Sequence, residues 1–78
     1  MEKVLDMKKH KYKYIYFYKI EDKPKTSVFI CKSLKDKNDL GIVKWYGPWR
    51  QYCFFPGNNT IFNKGCMDDI KDFINKIS

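Results

Sequence analysis

The chain has 78 residues, of which 44% are hydrophobic and 18% aromatic, enough for one small domain over residues 1–78 and too few for two. Its formal net charge is +7, from 16 Lys and Arg against 9 Asp and Glu. No apolar run approaches the roughly 20 residues that a membrane-spanning helix needs, and the charged N-terminus does not fit a secretory signal peptide. We therefore expect a protein that makes no membrane contact.

Positive charge is concentrated in the first two thirds of the chain. From Met7 to Arg50 there are eleven Lys and one Arg against four acids, a net charge of +8, whereas residues 51–78 sum to zero. A basic region of this kind is consistent with a polyanionic partner. A chain with fifteen Lys and one Arg, rich in Ile, Asn and Tyr, is also typical of an AT-rich genome, so the charge has two explanations.

The three cysteines indicate a reducing compartment. Cys31, Cys53 and Cys66 are odd in number, form no C-x-x-C pair and lie in apolar patterns, where free cysteine behaves as a small buried hydrophobe. We expect reduced thiols and a cytoplasmic protein.

Residues 1–10 are predicted to be a flexible basic arm, and the first strand follows it. Residues 12–20 alternate strictly, which is typical of a strand. The alternation places four tyrosines on one face (Tyr12, Tyr14, Tyr16 and Tyr18) and the residues between them on the other (Lys13, Ile15, Phe17 and Lys19). Pro24 then breaks the strand in a charged turn over residues 21–25.

Three further strands are predicted before residue 56. Residues 27–34 are apolar on both faces and so favour a central strand, residues 40–46 form the third strand, and residues 51–55 the fourth. The polar turn over residues 35–39 separates the second strand from the third, and Gly47–Pro48 separates the third strand from the fourth. The short connections favour an antiparallel meander, which makes residues 12–55 the sheet.

The C-terminal segment changes to a helical period. Its apolar residues recur at helical spacing on one face (Cys66, Met67, Ile70, Phe73, Ile74 and Ile77), which predicts an amphipathic helix over residues 64–77. Asn63 is a suitable cap for it. The predicted fold is α+β, a four-stranded antiparallel sheet in the order β-β-β-β-α with the helix packed on one face.

The first strand carries most of the candidate ligand-binding residues. Tyr14, Tyr16 and Tyr18, interleaved or flanked by Lys11, Lys13 and Lys19, resemble a stacking platform in which rings hold bases and ammonium groups neutralise phosphates. The same tyrosines would suit an ordinary half-buried sheet face or a protein interface. These three interpretations remain open at the level of the sequence.

The densest aromatic segment is residues 44–56, which contains both tryptophans, the only arginine and six rings. We expect most of these rings to form the core of the sheet. Arg50 is the exception, because a planar guanidinium flanked by Trp49 and Tyr52 could stack on a ring or form paired hydrogen bonds with a phosphate or carboxylate. Arg50 and Trp49 therefore join the candidate ligand-binding residues.

Catalytic and metal-binding patterns are absent from the sequence. The one histidine, His10, lies in a lysine run that would repel a cation, and the four glycines form no phosphate-binding loop. No residue orients a cysteine against His10 as a nucleophile and base would require. We expect a protein that is not an enzyme, with no catalytic residues, no metal and no cofactor.

The segment Trp45-Tyr46-Gly47-Pro48-Trp49-Arg50-Gln51-Tyr52-Cys53-Phe54-Phe55-Pro56, followed by Asn59 to Phe62 and by the helix, resembles a family of small, mostly uncharacterised phage and prophage proteins. The resemblance covers residues 40–77 and is absent from the lysine-rich front. It implies a phage-encoded accessory protein in a bacterial host cytoplasm, and it supplies no catalytic residues.

These observations together predict a small binding protein that modulates a host process such as antiphage defence. It would engage an anionic ligand, either nucleic acid or a nucleotide signal, through the first strand and Arg50. The alternative is a protein–protein inhibitor of a host enzyme or defence complex that acts through an exposed aromatic sheet face. A small homo-oligomer is a further expectation, since short chains often gain stability by association.

Overall fold

The computed structural model describes residues 10–78 as five strands followed by one helix. The elements are β1 (His10–Lys11), β2 (Ile15–Asp22), β3 (Ser27–Ser33), β4 (Asp39–Tyr46), β5 (Gln51–Pro56) and α1 (Lys64–Ile77). A 3-10 turn, Gly47–Trp49, joins β4 to β5. Apart from His10, the predicted basic arm lies outside the described residues.

The strands form one antiparallel sheet in the order β1-β2-β3-β4-β5, so the predicted α+β class and meander are confirmed. The predicted number of four strands is wrong, because His10 and Lys11 pair with Phe17 and Tyr16 as an additional edge strand. The chain reverses between them in a turn where the Tyr12 N–H donates to the Ile15 carbonyl oxygen at 2.8 Å. This turn contains neither glycine nor proline, so the sequence carries no ordinary signal for it.

Antiparallel pairing determines which side chains share a face of the sheet. On one side, which we call the helix face, Phe17 lies opposite Cys31, and Phe29 opposite Val43. On the other side, which we call the open face, the side chains that share one surface include Lys11, Tyr16, Tyr18, Ile30, Lys32, Ile42, Lys44, Tyr46, Gln51, Cys53 and Phe55. Because α1 packs on the helix face, no helix of residues 10–78 covers the open face.

The helix has the predicted bounds and the predicted cap. The Asn63 side-chain oxygen accepts a hydrogen bond from the Cys66 N–H at 2.8 Å, which satisfies one of the unpaired donors of the first turn. The buried residues of α1 are Cys66, Ile70 and Phe73, which recur at intervals of four and three. This spacing directs one stripe of the helix onto the sheet.

The core lies between α1 and the helix face. Ile15, Phe17, Phe29, Cys31 and Val43 supply its sheet side, and the three buried helix residues supply the other. The Phe73 ring stacks on Phe17, with centroids 4.1 Å apart, and meets Phe29 edge-on at 5.0 Å. Aromatic contacts of this geometry add to the free energy gained by burial.

The rings of residues 44–56 divide between the core and the surface, so the expectation that most of them are core is only partly correct. Tyr52 and Phe54 pack against the core from the helix face. Trp45 is 42% exposed and Trp49 is 66% exposed. Trp49 lies in the turn beyond the end of β4, where no second layer of the described residues is available to bury it.

We expect Gly41→Ala to lower the free energy of unfolding by about 1–3 kcal/mol, the usual cost of overpacking. A Cβ at Gly41 would lie 2.5 Å from Cζ of Phe54 and 2.7 Å from the carbonyl oxygen of Phe55. That carbonyl belongs to the backbone of β5, paired with β4, and has little freedom to move. Urea unfolding would measure the loss.

Gly47→Ala is the matched control for this change. A Cβ at Gly47 meets no atom within 4 Å, and the residue does not have a positive φ angle. Its substitution should be neutral or stabilising by a few tenths of a kcal/mol, through the lower entropy of the unfolded chain. Equal stability of the two alanine variants would contradict the close packing assigned to Gly41.

Candidate functional site

Tyr16 and Tyr18 form the first aromatic pair on the open face. Their rings are stacked with centroids 5.9 Å apart and planes 16° from parallel. Tyr16 is only 9% exposed, and the Lys37 Nζ lies 5.8 Å from its ring centroid. Tyr18 is half-buried, so it is the ring of this pair that offers more surface to a ligand.

A second aromatic group, which we call the turn cluster, is formed by Tyr46, Trp49 and Phe55 at the other side of the open face. The Tyr46 ring meets Trp49 edge-on at 5.2 Å and Phe55 at 6.0 Å. The Lys44 Nζ lies 4.9 Å from the Phe55 centroid, a distance at which an ammonium is attracted to the face of a ring. Aromatic surface and positive charge are thus held side by side.

Arg50 follows the turn cluster in an unusual backbone conformation. Its φ is 53° and its ψ 48°, and its N–H donates to the Gly47 carbonyl oxygen at 3.0 Å. A left-handed conformation costs a non-glycine residue roughly 1–2 kcal/mol. Within residues 10–78 the exposed guanidinium has no hydrogen bond, ion pair or ring contact, so all of its donors are available to a ligand.

Lysines border the rings of the open face. Lys11 on β1 lies opposite Tyr16. Lys32 lies on β3, the strand between β2 and β4, and its Nζ is 3.2 Å from a carboxylate oxygen of Asp39. The hydrogen bond to Asp39 raises the pKa of Lys32, so this ammonium remains charged at neutral pH. Lys44 is exposed and extends over Phe55.

The predicted ligand-binding residues are only partly brought together. Lys11, Tyr16 and Tyr18 share the open face, and Trp49 and Arg50 lie in the turn beside it. The prediction that the tyrosines of the first strand share one face is wrong. The turn at residues 12–14 resets the alternation, and Tyr12 points toward the helix, where its hydroxyl donates to Asp72 at 2.8 Å.

Tyr14, Lys13 and Lys19 do not lie on the open face. Tyr14 and Lys13 line a recess of about 390 Å³ beside the start of α1, together with Lys35 and Cys66. Lys19 occupies a helix-face position opposite Phe29, where its Nζ contacts Asp22 at 3.0 Å. Of the six ligand-binding residues predicted in and beside the first strand, three therefore share one surface: Lys11, Tyr16 and Tyr18.

Four of the aromatic and lysine side chains on the open face were not among the predicted ligand-binding residues: Lys32, Lys44, Tyr46 and Phe55. Period-two alternation does group Lys44 with Tyr46, so a signal existed. That signal cannot tell which face of each strand meets the helix, because both faces of β4 and β5 carry apolar residues. The pairing register supplies the missing information.

Within residues 10–78, the environment of the Cys31 thiol and the spacing of possible metal ligands can be compared with what a nucleophile and a metal site need. Burial, with a smaller contribution from Cys66, raises the pKa of Cys31 to about 12, so this thiol is protonated at neutral pH and a poor nucleophile. No three His, Cys, Asp or Glu residues of the described part come together as ligands. In the same part, no helix has the length and apolar character to cross a membrane.

A comparison with known proteins finds a similar sequence in a phage. The chain is 32% identical over 65 residues to the "Uncharacterized 9.3 kDa protein" of Acholeplasma phage L2. The match covers 82% of this chain and 83% of that protein, so the two correspond over most of their length. No protein-family model matches the chain, and no solved structure matches it.

Proposed function

This chain belongs to a family of small phage proteins, and we propose that it is a non-enzymatic protein that binds single-stranded nucleic acid on its open face. The observation that carries the proposal is the pairing of rings with ammonium groups on that face, seen at Lys44 with Phe55 and at Lys37 with Tyr16. Bases stack on such rings for about 1–3 kcal/mol each, and lysines neutralise the adjoining phosphates.

The distribution of charge supports an anionic ligand on the sheet. Residues 10–56 contain ten Lys and Arg against four acids, a net charge of +6, whereas residues 57–78 contain three of each sign. All of the net charge of the described residues therefore belongs to the sheet and its turns. Lys11, Lys32 and Lys44 of this region lie on the open face and Lys37 lies over the Tyr16 ring, so a ligand on that face would meet four of these positive charges.

The extent of the open face favours a strand of several nucleotides over a single nucleotide signal. Tyr18 on β2 and Phe55 on β5 are separated by three inter-strand spacings. At about 4.8 Å per spacing, the two rings are roughly 14 Å apart, too far for one base to contact both. In an infected bacterial cell, the protein would act in the cytoplasm. There it would bind nucleic acid that takes part in a host process such as antiphage defence.

We expect Lys44→Glu to weaken the binding of a labelled 12-nucleotide oligo-dT by about tenfold or more and to reduce the slope of log K against log salt by one to two. Fluorescence anisotropy over a salt series would measure both quantities. The physical reason is the loss of one phosphate contact and the introduction of a repulsive carboxylate beside Phe55.

Lys71→Glu is the matched control, because it makes the same change in net charge on an exposed position of α1, away from the open face. It should alter affinity by less than about threefold, through long-range electrostatics alone. Equal effects of the two reversals would show that only net charge matters and would contradict a site on the open face. Binding that does not respond to salt would contradict nucleic acid as the ligand.

A second candidate function, inhibition of a host protein, is favoured by the turn beside the open face. Trp49 is 66% exposed and the Arg50 guanidinium is without a partner among the described residues, and these two residue types dominate binding hot spots. For this function, tagged protein should capture one host protein, and Arg50→Ala should abolish the capture while leaving oligonucleotide affinity within a few-fold.

A further inference from the structure

Strand β5 presents an unpaired edge whose backbone orientation can be derived. The Gly57 N–H donates to the Leu40 carbonyl oxygen at 2.9 Å, so the hydrogen-bonded positions of the β4–β5 ladder fall on alternate residues from there. Gln51, Cys53 and Phe55 therefore bond inward to β4. The N–H and C=O groups of Tyr52 and Phe54 point outward, where no strand of residues 10–78 pairs with them.

The composition of this edge is unlike that of the other strands. Each of β1 to β4 carries at least one charged residue, whereas Gln51–Pro56 carries none, and the uncharged stretch continues to residue 63. Natural proteins usually protect an exposed edge with lysines or inward-pointing charges. Here the protection is confined to Pro56, at the last residue of the strand.

We propose that β5 pairs antiparallel with β5 of a second copy of this chain about a two-fold axis, extending the sheet across both molecules. Two copies that each carry a net charge of +7 repel one another over most of their surface. The uncharged edge is where they can approach without opposing like charges. This proposal is independent of the ligand proposed above.

The backbone groups select one register for this pairing. If Tyr52 lies opposite Phe54 of the second copy, all four outward N–H and C=O groups of each strand are satisfied, giving four hydrogen bonds in total. A register centred on Phe54 would place Tyr52 opposite Pro56, which lacks an N–H. A register centred on Tyr52 would place Phe54 opposite Arg50, whose N–H is already bonded to Gly47.

The selected register places Cys53 directly opposite Cys53 of the second copy. The two residues form a pair without backbone hydrogen bonds, in which the Cα atoms are about 4.5 Å apart, within the range that a disulfide spans. Both side chains lie on the open face, where Cys53 is half-buried. The other two cysteines, Cys31 and Cys66, are buried in the core and cannot meet a second copy.

Cross-linking tests both the association and its register. The reduced protein should sediment as a dimer in analytical ultracentrifugation. Brief treatment with diamide should then convert most of it to a covalent dimer, as two Cys53 thiols lose two protons and two electrons and diamide is reduced to its hydrazine. Cys53→Ser should remain a non-covalent dimer and should not cross-link, whereas Cys31→Ser and Cys66→Ser, where folded, should cross-link as the natural protein does.

Cys53→Lys tests the interface without altering the core. It places two ammonium groups opposite each other about the two-fold axis and should weaken dimerisation by tenfold or more. Its thermal unfolding midpoint should be close to that of Cys53→Ser at a dilution where both variants are monomeric, because dimerisation stabilises the folded state only where dimers form. A monomeric natural protein at 100 µM would overturn the proposal. A dimer that cross-links poorly through Cys53, or one unaffected by Cys53→Lys, would also overturn it and would indicate another interface.

Discussion

Replacing Ile70 by Asp should lower the free energy of unfolding by about 4 kcal/mol or more, because it removes a buried aliphatic side chain and puts a carboxylate in its place. Ile70 is 7% exposed and belongs to the core between α1 and the sheet. A chain of this length has a total stability of roughly 4–12 kcal/mol at 0.05–0.15 kcal/mol per residue. The loss is therefore a third or more of the total stability, and the urea concentration at the unfolding midpoint should fall in proportion, as circular dichroism during a urea titration would show.

Met67→Asp supplies the matched control for Ile70→Asp on the same helix. Met67 is 55% exposed on the outer side of α1, so its carboxylate would stay in water and the free energy of unfolding should change by less than about 1 kcal/mol. Equal losses in the two variants would contradict the assignment of Ile70 to the buried stripe.

The deficit of Ile70→Asp should also depend on pH. Burial raises the folded-state pKa of the introduced carboxyl above its value in the unfolded chain, near 3.9. Protonation therefore favours the folded state of the variant, and its deficit relative to the natural protein should shrink as the pH falls toward 4 and below. A deficit that stays constant between pH 7 and pH 3.5 would indicate that the carboxylate has escaped to water.

The helix could be predicted from the sequence because one physical signal dominates it. Cys66, Ile70 and Phe73 recur at helical spacing, Asn63 stands three residues before Cys66 as a cap, and no proline interrupts the segment. Local periodicity and capping both favour a helix there, and the tertiary packing of the segment favours the same structure. The central strands were predicted within one or two residues at each end for the same reason.

The first strand shows where periodicity fails. Residues 12–20 alternate without interruption, yet Tyr12 and Tyr14 lie in a turn and only Tyr16 and Tyr18 continue on the open face. The turn is stabilised by non-local contacts, since the Tyr12 ring meets Phe17 edge-on and its hydroxyl donates to Asp72, sixty residues away. A pattern that reads only neighbouring residues contains no information about such contacts.

The candidate site was only partly predictable because it depends on the register between strands. Lys44, Tyr46 and Phe55 come together across β4 and β5, and that grouping requires Ile42 to face Phe55 rather than Phe54. Moving the pairing by one residue would exchange the rings of the core and the open face. Gly41 helps to hold the register, because it accommodates the Phe54 ring on the helix face.

Replacing Phe73 by Ala should lower the free energy of unfolding by about 3–5 kcal/mol, the cost of removing a large ring from a packed core. Phe73 is fully buried and contacts rings of three strands: Phe17 at 4.1 Å, Phe29 at 5.0 Å and His10 at 5.1 Å. It is therefore the helix residue that joins β1, β2 and β3 to α1. Urea titration would measure the change in stability.

Phe73→Leu preserves most of the volume and should lose about 1.5 kcal/mol or less. The two variants should also differ at His10, whose pKa is lowered by burial and by the nearby Lys76. In Phe73→Ala, at a temperature where it remains folded, water gains access to the imidazole and its pKa should rise toward 6.5, as NMR titration would show; in Phe73→Leu it should stay lower. An unchanged His10 pKa in Phe73→Ala would mean that β1 is held to the sheet by its two strand pairs and not by the helix.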